Sequence, residues 1–363
     1  MRASLVVVLS TSAQASLLQA HFRHRTPLHI AMTAFDEQAY EAERLAKDGE
    51  AMAAMKDEKE RFRHLRTPWK WEIRERVWDQ MEAEDIARFP RPVHHRIPNF
   101  DGAEIAAKNL AELPEFEQAS VVKVNPDTPQ RPVRTLVLAR GKTLLTPQPR
   151  LRTGFFSTLS MDSIPSGTLD KCTTSKGVAQ HGTPIDLDAK YTVDLVVVGS
   201  TAVCPRTGAR VGKGEGFAEL EWGILSLMGN LDANTTLVVT TVHDVQVVDD
   251  MPAGELTKHD VPVDIIVTPT RTIRVSDRVA KPSGVYWDLL SPQKLAQIKV
   301  LRELKERIEE QQGEALPQGP EETLPPTAQR NQRGRGRGRG PGRGGRGRGR
   351  GGRGQGGGTA ASS

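Results

Sequence analysis

The spacing of apolar residues changes along the chain, and each change predicts an element. Over residues 36–66 apolar positions are thinly scattered among Ala, Glu, Lys and Met, which predicts a surface helix with a narrow apolar face. "TPWKWEIRERVWDQMEAEDI" gives a firmer signal. Thr67 stands as a helix cap, Pro68 occupies the first helical position, and Trp71, Val77, Trp78 and Met81 recur at helical spacing. "FPRPVHHRIPNF" ends that helix, because proline has no amide hydrogen and its ring collides with the preceding turn. A second helix is predicted over residues 102–119.

Beyond it the period shortens. "VRTLVLA" (133–139) and "KTLLT" (142–146) read as strands joined through Arg140-Gly141. "VDLVVVGS" (193–200), "TTLVVTTV" (235–242) and "VDIIVTP" (263–269) are unbroken Val, Ile, Leu and Thr runs, the signature of strands covered on both faces. Helical patterns fall between them, around 168–180, 217–229 and 252–258. This alternation predicts an α/β three-layer sandwich with a largely parallel sheet. "SPQKLAQIKVLRELKERIEEQQ" reads as a closing helix that starts at a Ser-Pro cap. The expected organisation is a leader and weakly structured segment (1–65), a folded domain (66–312), a linker rich in Pro, Gly and Glu (313–330), and a disordered arginine-glycine tail (331–363).

Charge sharpens this division. The 363 residues carry a formal net charge of +5, but residues 330–353 hold ten arginines and no acid, so residues 1–329 carry +5 less +10, a net −5. An anionic polymer is therefore expected at the tail, through Arg333, Arg335, Arg337, Arg339, Arg343, Arg346, Arg348, Arg350 and Arg353. RNA is the expected partner. Guanidinium planes attract phosphates and stack on unpaired bases, while the lack of Phe and Tyr there predicts little sequence preference. A solubilising or self-associating tail is the plainer alternative.

No apolar run is long enough to span a bilayer, so no membrane partner is expected. Cys172 and Cys204 form neither a CxxC pair nor a metal-ligand spacing, which fits a reducing compartment. The first 35 residues contain Arg2, Arg23 and Arg25, many Ser and Thr, and no acid. That composition suits a mitochondrial transit peptide; a start at Met32 or a plain leader competes with it. A cytoplasmic location is expected, with a mitochondrial one if the first 31 residues are such a peptide.

Candidate chemistry concentrates in "GARVGKGEGFAELEW" (208–222), a glycine-rich turn between a predicted strand and a predicted helix. Unpaired amides at a helix start favour anions, and Arg210 and Lys213 add charge. The spacing matches neither GxxxxGK[ST] nor GxGxxG, so a plain tight turn competes with an anion cradle. His94-His95, His243-Asp244 and His259-Asp260 lack metal-ligand spacing and read as structural, with His94, His95 and Arg96 in a connection expected near a pocket mouth. No metal site is predicted. Arg150 and Arg152 follow a strand end, where an anionic substrate group would gather, or form a surface pair.

"VDLVVVGSTAVCPRTGARVGKGEGFAELE" resembles the C-terminal signature of the 5-formyltetrahydrofolate cyclo-ligase family, at Asp194, Gly208, Arg210, Gly212, Gly214 and Gly216. "KWEIR" is similar to the family's KxxLR element at Lys70 and Arg74. "GKTLLTPQPRLR" matches a GKxxxLPR segment at Gly141, Lys142 and Pro147, and "HDVPVDIIVTPT" a closing HDxxVDxVVT strand. "FPRPVHHRIPNF" and "RLRTGFF" resemble a divergent branch of that family. The likeness runs in order over about residues 66–275. It implies the NagB/RpiA/CoA-transferase-like fold and an ATP- and magnesium-dependent ring closure of 5-formyltetrahydrofolate. In such an enzyme Lys70, Arg74, Gly208, Arg210, Gly212, Lys213, Gly214 and Gly216 would hold phosphates, Arg210 would also serve catalysis, and Arg150 and Arg152 would meet folate's glutamate tail.

The departures from the pattern matter equally. Val203-Cys204 replaces an FD pair, Gly199-Ser200 replaces PG, Glu215 introduces an acid into the loop, and Phe217-Ala218-Glu219 replaces YYD. A carboxylate facing a triphosphate in a partly dry pocket opposes binding. The expectation is thus an RNA-binding protein with a catalytically impaired domain that retains a nucleotide- or folate-like pocket. An active ATP- and Mg-dependent cyclo-ligase and a non-catalytic scaffold are the alternatives.

Overall fold

The computed structural model describes residues 67–148, 151 and 155–322. The predicted helix over 36–66, the leader, Arg150, Arg152 and the arginines of the tail lie outside the described residues. Helix α1 (Pro68–Ala83) buries Trp71, Val77, Trp78 and Met81 on one face, as their spacing predicts; Thr67 stands at the N-cap position with Pro68 in the first turn, but its side chain makes no capping hydrogen bond. A short antiparallel ribbon follows, β1 (Ala87–Arg88) with β2 (Asn99–Phe100). The helix expected over 102–119 is two helices, α2 (Ala103–Ala111) and α3 (Pro114–Gln118). Pro114 cannot donate the amide bond that would continue α2, and Leu113 is extended.

The next elements correct the sequence reading twice. Strand β3 (Val121–Val124) sits at the centre of the sheet but was not predicted, being four residues long and interrupted by Lys123. Residues 131–139, expected partly as a strand, form helix α4 (Arg131–Ala139) with Pro132 in its first turn. Val133, Arg134, Val137 and Leu138 are buried along it, which is helical spacing; its β-branched content imitated a strand. Gly141 then makes a helix-to-strand turn into β4 (Thr143–Pro147).

Strand β5 (Phe156–Leu159), helices α5 (Leu169–Cys172) and α6 (Ser175–His181), and strand β6 (Thr183–Ile185) extend one side of the sheet. Strand β7 (Leu195–Val198) leads to a hairpin, β8 (Ala202–Val203) with β9 (Arg210–Val211). Helix α7 (Phe217–Leu227) and strands β10 (Leu237–Thr241), β11 (Ile265–Val267) and β12 (Thr272–Arg274) follow. The helix expected over 252–258 is one 3-10 turn, Ala253–Glu255. The closing helix is interrupted at Ile298, giving α8 (Pro292–Gln297) and α9 (Lys299–Gln312); the predicted cap is present, with Ser291 Oγ accepting the Lys294 amide.

The main sheet has the order β12-β11-β10-β7-β3-β4-β5-β6. Its five central strands are mutually parallel, and antiparallel strands finish both sides. Successive residues alternate between two cores. Val196, Val198, Val238 and Ile266 pack toward Trp222, Leu225 and Leu301 of α7 and α9. Leu195, Val197, Val239 and Ile265 pack toward Leu110, Phe116 and Val137 of α2, α3 and α4. Helices thus cover both faces, the predicted three-layer α/β arrangement. Asp194 fixes the register by accepting the Ser120 and Val121 amides at 2.8 and 2.9 Å. A third core joins α1 to the β8–β9 hairpin through Trp71, Trp78, Cys204 and Val211. No helix among the described residues is long and apolar enough to cross a membrane.

The segment expected as linker returns to the body over residues 313–322. The Gly319 amide donates to the Leu290 carbonyl at 3.0 Å, the Leu316 amide to Glu309 Oε1 at 2.8 Å, and the Leu316 side chain joins the first core.

Candidate functional site

A cleft of about 720 Å³ opens beyond the carboxyl ends of β3 and β7, where α/β sheets collect ligands. The glycine loop, the start of α7, one face of α1 and the C-terminal segment line it. Gly214 shapes the loop, whereas Gly208, one of the glycines the family likeness assigns to phosphates, does not line the cleft: it lies in the β8–β9 turn, with its amide and carbonyl bonded to Cys204 and Val263. Gly208 has φ +69 and its Cα faces the Val263 carbonyl so closely that a Cβ would sit 2.2 Å from the oxygen. Gly214, at φ +93, lies against Trp71. Neither conformation suits a residue with a side chain. The main-chain amides of Lys213, Glu215, Gly216 and Phe217 make no hydrogen bond to another described residue. Amides without a partner, beside the positive end of α7, are donors that an anion could use.

Lys70 and Arg74 are one turn apart on α1 and both reach the cleft, as the KxxLR likeness implies. Lys70 Nζ donates to Asp260 Oδ2 at 2.5 Å. Arg74 Nε donates to the Gly212 carbonyl at 2.7 Å, and its guanidinium lies 4.6 Å from the Trp71 ring centroid. Arg210 is buried, and its fork is occupied by the Gly199 carbonyl at 2.8 Å, the Val261 carbonyl at 3.3 Å and Glu219 Oε1. Lys213 lies between Asp127 at 3.2 Å and Glu215 at 3.1 Å. Glu215 faces the cleft at 8% exposure instead of turning to bulk water.

The charges in the lining nearly cancel. Lys70, Arg74, Arg210, Lys213 and Lys294 meet six carboxylates, those of Asp127, Glu215, Glu219, Glu221, Asp260 and Glu322, for a net −1. Local pKa values follow the pairing. Burial alone would lower the Lys213 ammonium, yet Asp127 and Glu215 outweigh it and hold its pKa above the ordinary value. Burial works to raise the Asp260 carboxyl, but Lys70 and the Thr257 hydrogen bonds bring it below the usual range.

Several participants carried no readable sequence signal. Lys123, from β3, does not itself line the cleft but bonds two residues that do, Asn125 Oδ1 at 2.5 Å and Glu221 Oε2 at 2.6 Å. Both charges are almost wholly buried, and desolvation raises the Glu221 pKa against the pull of Lys123. Arg134 donates to the carbonyls of Asn125, Asp127 and Thr173, fixing the turn that carries Asp127; burial lowers its pKa to about 10. A lysine inside a Val-rich run was the one available hint of this network.

Other expectations resolve differently. His94 and His95 do not line the cleft; they pack on Trp78 and Trp71 in the third core, and His94 Nε2 meets Asp79 at 2.7 Å. His259 does line it, bonded to Thr257 Oγ1 at 3.1 Å. Val203 and Cys204 are interior residues of the hairpin, so no carboxylate stands there. Among the described residues no three His, Cys, Asp or Glu side chains converge as a metal-ligand set.

A profile of the 5-formyltetrahydrofolate cyclo-ligase family matches residues 66–269. The chain belongs to the 5-formyltetrahydrofolate cyclo-ligase family. The methenyltetrahydrofolate synthase domain-containing protein of Bos taurus is 48% identical over 269 residues, 73% of this chain and 69% of that protein. Its Mus musculus counterpart is 52% identical over 241 residues, 66% of this chain and 63% of that protein. The chain thus spans about two thirds of the length of these curated relatives. An NMR structure of Aquifex aeolicus 5,10-methenyltetrahydrofolate synthetase aligns with 57% of this chain and 93% of its own, at 21% identity and a TM-score of 0.36. Within this cyclo-ligase family member, the cleft residues from Gly284 to Glu322 lie beyond the matched segment.

Proposed function

We propose that this chain is a cytoplasmic RNA-binding protein in which a cyclo-ligase-like domain takes an anionic ligand without turning it over, while the arginine-glycine tail holds the RNA. The observation that carries the first half is the pairing of the cleft cations. Phosphoryl transfer depends on positive groups that meet the developing charge of the transferred phosphate. Here Lys70, Arg210 and Lys213 are each bound to carboxylates of the same domain. A magnesium triphosphate would have to displace Glu215 and Asp127 from Lys213 and Glu219 from Arg210, and the residue set as folded does not fit that group. A small anion on the loop amides needs no such exchange. The second half rests on the tail's sequence, nine arginines over residues 333–353 with no acid to pair them.

Turnover of 5-formyltetrahydrofolate with ATP and magnesium, followed by absorbance of the methenyl product, tests the domain. None is expected, and product formation that disappears in Arg210→Ala would establish an active cyclo-ligase instead. Binding of single-stranded RNA with and without residues 331–363 tests the tail.

A further inference from the structure

The family match ends at residue 269, yet one wall of the cleft comes from later in the chain. Lys294, on α8, donates from Nζ to the main-chain oxygen of Glu215, and its ammonium lies 4.1 Å from the Phe217 ring centroid. Lys294 is itself held in place. Ser291 Oγ accepts the Lys294 amide at 3.0 Å and donates to Glu322 at 2.6 Å. The returning segment closes at Gly319 on the turn just before α8, where a Cβ would come within 2.6 Å of the Leu290 nitrogen.

From α1, Arg74 makes a similar arrangement with the Gly212 carbonyl and the Trp71 ring. Two cations, each backed by an aromatic ring, therefore grip the loop's main chain at residues 212 and 215. In a trans peptide the carbonyl and the next amide point in opposite directions. Turning Gly212 O toward Arg74 and Glu215 O toward Lys294 therefore turns the amides of Lys213 and Gly216 away from those cations. A stretch with glycine at every second position has wide conformational freedom, and these two bonds select one state from it.

We infer that Lys294 is a positioning residue: from a segment beyond the family match, it presets the loop conformation that offers its amides to an anion. The inference rests on reading the loop as an anion cradle. Lys294 acts through the main chain of Glu215 and not by its own contact with the ligand.

The test pairs calorimetric titration of inorganic pyrophosphate with amide hydrogen exchange over residues 211–218 in the ligand-free full chain. Lys294→Met is expected to weaken pyrophosphate and to speed exchange in that stretch by about tenfold each, the size of one charge-assisted hydrogen bond. Lys294→Arg, which keeps a donor, returns both to within about threefold of the unaltered chain. Ser291→Ala changes no charge but loosens the helix start that aims Lys294, and it weakens binding about threefold; it carries the test alone if Lys294→Met does not fold. Equal affinity and exchange in Lys294→Met, with pyrophosphate bound by the unaltered chain, overturns the inference and leaves the cradle standing. No binding by the unaltered chain overturns both. Weaker binding in Lys294→Met with unchanged exchange, and full affinity in Ser291→Ala, makes Lys294 a direct charge contact and overturns the positioning role.

Discussion

The cleft and the C-terminal repeat both concentrate basic side chains, five in the lining of one and ten arginines over residues 330–353 of the other. In the cleft they are outnumbered by six carboxylates. In the repeat there is no acid at all. The difference follows from burial. A cation taken out of water costs several kcal/mol unless a counter-charge and hydrogen bonds accompany it, so a folded pocket that carries lysines also carries their partners. A glycine-rich repeat has no apolar residues to bury and faces no such requirement. Basic residues in a sequence therefore announce an anion only when nothing in the fold has already claimed them.

The sharpest way to break this comparison is to unpair a deeply buried cation beneath the cleft residues. Glu221→Leu leaves Lys123 at 2% exposure without its carboxylate and is expected to cost about 3–5 kcal/mol of stability, read by denaturant unfolding. Combining it with Lys123→Met should recover most of that loss, since two apolar residues of similar volume replace the pair. If the double variant is no better than the single, the pair is not the source of the cost.

Next in size, removing residues 331–363 should lower RNA affinity about a hundredfold at low salt and flatten its dependence on salt concentration, measured by fluorescence anisotropy. RNA binding unchanged by the deletion would place the nucleic-acid site in the folded body, where the cations are already paired.

Glu215→Gln removes one carboxylate from Lys213 and leaves the main-chain oxygen that Lys294 holds. Pyrophosphate should bind about tenfold tighter to it, the effect of one unit charge in a partly desolvated site. Weaker binding would mean that Glu215 supports the anion site instead of opposing it.

A smaller effect concerns pH. The Glu221 carboxyl is raised above its ordinary 4.5 by burial, so the folded chain holds a proton that the unfolded chain releases. Its contribution is complete below pH 4.5 and is lost as pH rises through the folded pKa. Asp260 is lowered below 3.8 on balance, so its contribution is present above that pH and is lost as pH falls through its folded pKa. Thermal melts should show a shallower decline above pH 4.5 in Glu221→Gln, and a shallower loss below pH 3.8 in Asp260→Asn.

The smallest effect belongs to the surface. Arg76 and Asp250 are joined by two hydrogen bonds, but both are about half exposed. Asp250→Asn should change stability by only about 0.2–1 kcal/mol. A loss as large as that of Glu221→Leu would show that exposure does not govern the value of these pairs.

Much of the fold was legible because apolar periodicity reports burial directly. Strands β7, β10 and β11 read as continuous Val, Leu and Ile runs since helices cover both faces. α1 was legible through Thr67-Pro68 and its tryptophans. β3 was hidden by Lys123, whose polarity makes sense only beside Glu221, 98 residues away. α4 imitated a strand because Val133, Leu136, Val137 and Leu138 satisfy both periods over so short a run. Pro114 and Ile298 each divided a helix that periodicity alone joined.

The site divides along the same line. Sequence by itself determined that a glycine loop with Arg210 and Lys213 follows a buried strand, that Lys70 and Arg74 share a helix face, that Glu215 brings an acid into the loop, and that a charge of one sign fills the tail. Those features are local, fixed by residue type and spacing. Only the tertiary structure decided which carboxylate meets which cation, that Glu215 faces inward, and that Lys294 holds the loop from 79 residues away. Ion pairing and aim depend on contacts between segments distant in sequence, and chain packing alone brings such segments within bonding range.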